Sequence, residues 1–332
     1  MPARDIHVAY DFFEYVRVEG ADAPPAERDR IDVALLDMNH SWPNLGHDAI
    51  AHALLDAAEL VRDGIVAAGQ KVRVLSYDVR RNLIVPEGPN GRFQLYVGTG
   101  GPGHLDPRLN DGVSEVSQGI NETTAWERPL FNLFDAIAAH STAALLGICH
   151  SFGLMCRWSN VARAVVRAEK SSGMPDNVLE TSAAAHPWFS QFSRALPDHR
   201  HFKVVDNRLF DLVSTGGNGV NVIAREEESS DAFTVVEFAR DPSGAMPRIL
   251  GVNHHPEIID RDRIMVVLEE KRADGEVSES WYRERVTTMR DLFRGEAERQ
   301  SRITSEYTFA GPLRFHLHRL IEERCGAATV AP

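Results

Sequence analysis

Cysteine is scarce in this chain. Cys149, Cys156 and Cys325 are the three among 332 residues, and no two of them form a CxxC pair. That pattern gives neither a disulfide framework nor a cysteine zinc site, and it fits a reducing cytoplasm. Long apolar runs of membrane-spanning length are missing too. The opening "MPARDIHVAYDFFEYV" has no apolar core followed by a small-residue cleavage site, so neither a membrane nor a secreted protein is expected. Positive charge is in deficit. Lys and Arg number 36 against 48 Asp and Glu, a net charge of -12, which argues against a nucleic-acid or anionic-membrane partner. Internal repeats, low-complexity tracts, a P-loop and a dinucleotide fingerprint are all lacking, so no nucleotide cofactor is called for.

What remains is an ordinary globular composition, 43% hydrophobic and 25% charged, in a chain long enough for a full core plus additions. Residues 1–30 end in "EGADAPPAERDR", an exposed connection after a short N-terminal element. "IDVALLDMN" is a continuous apolar run, as in a strand buried on both faces. Ile50, Leu54, Ala58, Val61 and Ile65 follow at spacings of three and four, which predicts an amphipathic helix. "KVRVLSYDV" and "FQLYVGTGGPG" are the next strands, and "HLDPRLNDGVSEVSQGINETT" is loop-like. A helix beginning near Pro129 leads to the strand "AALLGIC". This alternation predicts a doubly wound α/β fold with a mostly parallel sheet. Residues 202–254 are strand-rich, and the last seventy or so are helical, with Tyr282, Val286, Met289 and Phe293 as one apolar stripe. That stripe suits a packed core face better than a partner site.

Three segments carry chemistry: "TGGPGH" (99–104), "GICHSFG" (147–153) and "GVNHHPE" (251–257). Each follows a predicted strand, and in an open α/β sheet such loops gather at one edge, where ligands bind. Taken singly, Cys149 is a core cysteine as readily as a nucleophile. Together and in this order, the three segments resemble the class I glutamine amidotransferase domain, marked by a GGPG loop, a G-x-C elbow and a terminal HPE. The first strand, "LLDMNHSWPNL", also resembles that family's opening. The resemblance spans residues 31–260 and implies a flavodoxin-like core, with helical additions at 1–30 and 261–332.

By the resemblance, Cys149 is the nucleophile, His255 its general base and later acid, and Glu257 the carboxylate orienting the imidazole. The backbone amides of Gly101 and His150 correspond to the oxyanion hole. The residue chemistry agrees, because a thiol needs an adjacent base or the positive end of a helix to react as thiolate. Gly100, Gly103, Gly153, Asp206 and Asn207 are the candidate substrate-binding residues. Two departures stand out. Gly153 occupies a position where family glutaminases usually carry glutamine, and "FKVVDNRLF" has no Ser-His or Ser-Tyr pair, offering Asp206 and Asn207 instead. The family implies release of ammonia from glutamine through a thioester on Cys149. No synthetase half is present, so the acceptor enzyme is expected on another polypeptide. A stand-alone cysteine hydrolase of γ-glutamyl or other amides is the alternative, including an intracellular-protease-like enzyme using Cys149-His150. A non-catalytic regulatory protein on the same fold is the third. His254 is expected to pack near the site, Cys156 to sit in the core, and "REEESSD" (225–231) to form a solvated turn. His316 and His318 have a spacing that could hold metal on a strand. Nothing nearby completes a set, so no metal is expected.

Overall fold

The computed structural model describes residues 5–20, 23–41, 44–217, 219–228, 231–259, 261–275 and 277–328. Trp42 and Pro43 of the opening motif, Ala21 and Asp22 of the N-terminal connection, and Ser229 and Ser230 of the acidic stretch lie outside them. Among the described residues twelve strands are formed: β1 (Phe13–Val18), β2 (Arg30–Asp37), β3 (Lys71–Asp78), β4 (Leu95–Gly98), β5 (Ala144–Ile148), β6 (Ala162–Gly173), β7 (Asp176–Leu179), β8 (His201–Lys203), β9 (Asp206–Ser214), β10 (Asn221–Glu226), β11 (Phe233–Arg240) and β12 (Pro247–Val252). Ten helices accompany them there: α1 (Leu45–Glu59), α2 (Arg62–Ala67), α3 (Val79–Asn82), α4 (Glu127–Ala139), α5 (His150–Ser159), α6 (Phe189–Ala195), α7 (Arg261–Ala273), α8 (Glu279–Leu292), α9 (Gly295–Ser305) and α10 (Gly311–Ala328).

Ten strands make one sheet in the order β1-β3-β2-β4-β5-β12-β11-β10-β7-β8. Pairing is parallel from β1 through β12 and antiparallel from there to β8. The chain order reverses between β2 and β4, so their C-terminal ends open a crevice. Ile31, Val33 and Leu35 face one core layer with α1 and α10, while Ala34 and Leu36 face another with α4 and α5. A strand buried on both faces is apolar without alternation for this reason. The fold is α/β, with the helical C-terminal segment present.

The N-terminal segment differs from the expectation of a helical addition. Phe13–Val18 is an edge strand, parallel to β3, and Phe12 and Phe13 are fully buried. "FEYVRV" is rich in aromatic and β-branched residues and follows the buried ring of Phe12, a pattern that a pleated edge satisfies better than a helix. Nor is α10 peripheral. Leu313, Leu317, Leu320 and Ile321 are buried in the layer that contains α1 and β2.

A row of glycines seats the helix that follows β5. Gly98 of β4 and Gly251 of β12 both register with Gly147 of β5. A Cβ at Gly98, Gly147 or Gly251 would overlap Ser151, Met155 or Phe152 respectively. Three adjacent strands thus present bare backbone where α5 descends onto the sheet.

Candidate active site

The edge where β2, β4, β5 and β12 end carries all three motifs. Cys149 stands between β5 and α5 with φ 48 and ψ -101, a conformation that L side chains rarely adopt. Its N–H donates to the Val252 carbonyl (2.7 Å) and its carbonyl accepts from Gly153 N–H (2.9 Å). The strained turn is therefore pinned from both sides, and the residue is partly buried at the cleft. Cys156, two turns further along α5, is fully buried, and burial pushes its thiol well up.

His255 Nδ1–H donates to Glu257 Oε1 at 2.8 Å, and the ring and the Cys149 side chain flank the same point, 3.0 Å and 3.6 Å from where a Cβ on Gly100 would stand. Burial alone would drive the proton off His255. The charge of Glu257, the hydrogen bond to it and the neighbouring Cys149 outweigh it and hold the imidazole well above its usual range. Pro256 separates the two polar residues, and the His255 N–H is fixed by the Val205 carbonyl at 2.8 Å. The Glu257 side chain is wholly buried against the first turn of α1, where the positive end of the helix favours a carboxylate. A Cβ on Gly46 would come within 2.5 Å of Glu257 Oε1, so only glycine allows that approach.

Gly101 and His150 both line the cleft beside Cys149, and His150 is in the first turn of α5, whose amides lack intrahelical acceptors. The side chain of His150 has a role that its backbone placement does not reveal. The ring is buried against the glycine loop's side of the cleft, and burial first, then the charges of Arg80 and His104, keeps it well below its usual range. The glycine loop is gripped from below as well. Arg80, 1% exposed, donates to the carbonyls of Met38 (2.9 Å) and Pro102 (2.6 Å) and pairs with Glu122 through two bonds. Glu122 accepts in turn from Asn110 and Trp126, and Gln118 receives the Gly103 N–H. The loop-like stretch after GGPG is thus a clamp on the glycine turn.

The cleft measures about 260 Å³. Gly103, Asp206 and Asn207 line it. Gly100 lies behind, where a Cβ would meet His255 Cε1 at 3.0 Å. Gly153 does not belong to the lining, which corrects the expectation placed on it. A side chain there would run into Leu105, and it is Leu105 that reaches the cleft. Asp206 is buried, with one oxygen accepting from Ser171 (2.5 Å) and paired with Arg208 (2.8 Å). Burial holds its carboxyl above the usual range against the pull of Arg208.

Several lining residues have no motif to announce them. Lys170 and Ser172 come from β6, and Trp281, Arg285, Thr288 and Met289 from α8. Val286, Met289 and Phe293 of the C-terminal stripe are packed as expected, but the neighbouring face of α8 walls the cleft. Alternating charge in "VVRAEKSSG" is the one available signal for β6, which pairs with β9 in a separate two-stranded sheet. His254 is buried, with Nε2 3.4 Å from Thr308 Oγ. His316 and His318 lie on a helix rather than a strand and donate to the carbonyls of Pro247 and Ala57, each at 2.8 Å. Among the described residues no group of three His, Cys, Asp or Glu could hold a metal ion, and no helix is long and apolar enough to cross a membrane.

Neither a protein-family model nor a curated protein matches the chain. Solved structures do. A glutamine amidotransferase from Thermotoga maritima is 16% identical, covering 87% of this chain and 98% of its own, with a TM-score of 0.49. A glutamine amido transferase from Methylobacillus flagellatus is 12% identical over 87% of this chain and 95% of its own, TM-score 0.49. The glutaminase domain of a Trypanosoma brucei CTPS, with bound acivicin, is 14% identical over 69% of this chain and 87% of its own, TM-score 0.37. The chain is similar in fold to glutamine amidotransferase structures, at low sequence identity.

Proposed function

We propose that this protein is a glutamine amidotransferase-like cysteine amidase. Cys149 Sγ attacks the side-chain amide carbonyl of glutamine or a γ-glutamyl amide as the thiolate, its proton held on His255. The tetrahedral oxyanion lies against the amides of Gly101 and His150, a kind of contact worth about 3–4 kcal/mol per donor. Collapse breaks the C–N bond as His255 returns the proton to the leaving nitrogen, which departs as ammonia or an amine. Water, deprotonated by His255, then cleaves the glutamyl thioester to give glutamate and free Cys149. Glu257 holds the imidazole in the tautomer this needs. The observation that supports the reading is the meeting in one cleft of Cys149, on its strained elbow, with His255, whose ring is bonded to Glu257. An intact set of this kind speaks against a purely regulatory protein.

In this reading the ammonia passes to a separate acceptor enzyme, in the cytoplasm. The second reading, a stand-alone hydrolase, is favoured by one feature: the chain's own α8 walls the cleft. Intact mass spectrometry after exposure to glutamine and γ-glutamyl amides tests the chemistry. A glutamyl adduct on Cys149 is the expected result. A folded protein that forms none with any of them refutes the amidase.

A further inference from the structure

The charge around the nucleophile has the opposite sign to the protein as a whole. A chain of net charge -12 lines this cleft with Lys170, Arg208 and Arg285 against a single carboxylate among the described residues, Asp206. The three cations are not equivalent. Arg208 is buried and ion-paired to Asp206, Asp211 and Glu226. Lys170 makes no ion pair or hydrogen bond among the described residues. Arg285 has one distant partner, Glu284 at 3.7 Å, whose side chain is 66% exposed, and its guanidinium lies over the Trp281 ring at 5.4 Å.

Lys170 and Arg285 come from different elements, β6 and α8, yet meet at the same cleft. After burial, the Arg285 charge is the main influence lowering the proton affinity of Lys170. Two like charges brought together repel, the exposed Glu284 offsets this only in part, and an anion between them relieves it. The α-centre of a glutamyl group has its own matching pair deeper in the cleft. Asp206 Oδ1 is buried with no hydrogen-bond donor, and Arg208 Nε is buried with no acceptor. One suits an α-ammonium and the other an α-carboxylate. The cationic rim is then left for a second acid.

We infer that the substrate carries that acid on its leaving amine: it is a γ-glutamyl amide of an amino acid, whose free carboxylate sits between Lys170 and Arg285. This rests on the amidase reading above. The C–N bond that breaks joins the γ-carbonyl to the amino acid nitrogen, which takes the proton from His255. Water completes the turnover, giving glutamate and the free amino acid. No further reactant is needed.

The test compares γ-glutamylglycine with γ-glutamylglycinamide, which differ in that one carboxylate, with glutamine alongside. In the wild-type protein kcat/KM is expected to favour the acid over the amide by at least about tenfold, and the preference should shrink as salt is added. The Lys170→Gln/Arg285→Gln double variant should bring the ratio close to one, whereas Lys170→Arg should keep it. A wild-type ratio near one, or a ratio that survives in the double variant, overturns the inference. Mass analysis of Cys149 separates the two levels. Equal acylation by the acid and the amide defeats the leaving-group assignment alone. No acylation by any of the three defeats the amidase reading and this inference with it.

Discussion

At the scale of single residues, environment sorts three identical thiols into different chemical classes. Cys149 is partly buried on its elbow at the cleft, while Cys156 is fully buried. Burial raises the proton affinity of Cys156 strongly and of Cys325 as well. Thiol reagents should therefore label Cys149 well ahead of the other two, as peptide mapping after brief alkylation would read. Equal labelling of all three in the folded protein would contradict a nucleophile here, and Cys149→Ser should abolish turnover. The histidine gives a second test. Glu257 holds the His255 proton well beyond its ordinary value of 6.5. Glu257→Gln removes that hold, so the imidazole should titrate at lower pH and kcat should fall about a hundredfold or more. NMR titration of the ring checks the first part, and an unmoved titration would mean that Glu257 does not set it.

At the scale of elements, the site depends on how closely α5 and the glycine loop are seated. Gly251→Ala would press a methyl group into Phe152, an overpacking expected to cost about 1–3 kcal/mol. Denaturant melts would measure the loss, and an unchanged midpoint would mean that α5 shifts freely. Arg80 and Glu122 have no exposed side-chain surface. Arg80→Met leaves a carboxylate buried without its cation, expected to cost about 3–5 kcal/mol. It also removes the donors that hold the Met38 and Pro102 carbonyls beside the Gly101 turn. In whatever fraction stays folded, kcat should fall more than KM rises, because the loop acts on the transition state. His150→Ala belongs with it. Since that imidazole is buried and lines the cleft together with Gly101, its loss should lower kcat further than loss of a side chain valued for its backbone alone.

At the scale of the molecule, stability should fall away on both sides of neutrality. His255 binds its proton more tightly folded than unfolded. That stabilisation is complete below its ordinary 6.5 and is lost as pH rises through the higher folded value. Asp48 works in the other direction. Burial opposes its charge, but His47 and Lys271 overcome this and hold its carboxyl at about 2. Its contribution is present above the ordinary carboxylate range and is lost as pH falls toward about 2. Thermal melts across pH should show both limbs, and Asp48→Asn should flatten the acid one. The C-terminal helix is part of the same cooperative unit. Leu317 is fully buried, and Leu317→Ala should cost about 2–5 kcal/mol, read as a single shifted unfolding transition. Two separate transitions would mean that α10 is an independent appendage.

Local pattern alone determined the parallel core of this protein. Strands buried on both faces are continuously apolar, helices repeat every three or four residues, and the GGPG, G-x-C and HPE segments each end a strand. The edge at which they meet follows from those facts and the topology of open sheets. The rest was decided by contacts between residues far apart in the chain. Phe13–Val18 pairs as a strand because β3 offers it an edge, and nothing within six residues can state that. Gly153 is barren because Leu105 already fills its space. Lys170 and Arg285 share a cleft because β6 folds back along β9 while α8 packs across it. Burial and charge act through space, so residues with no common motif come to share one environment, and only the folded chain brings them within reach.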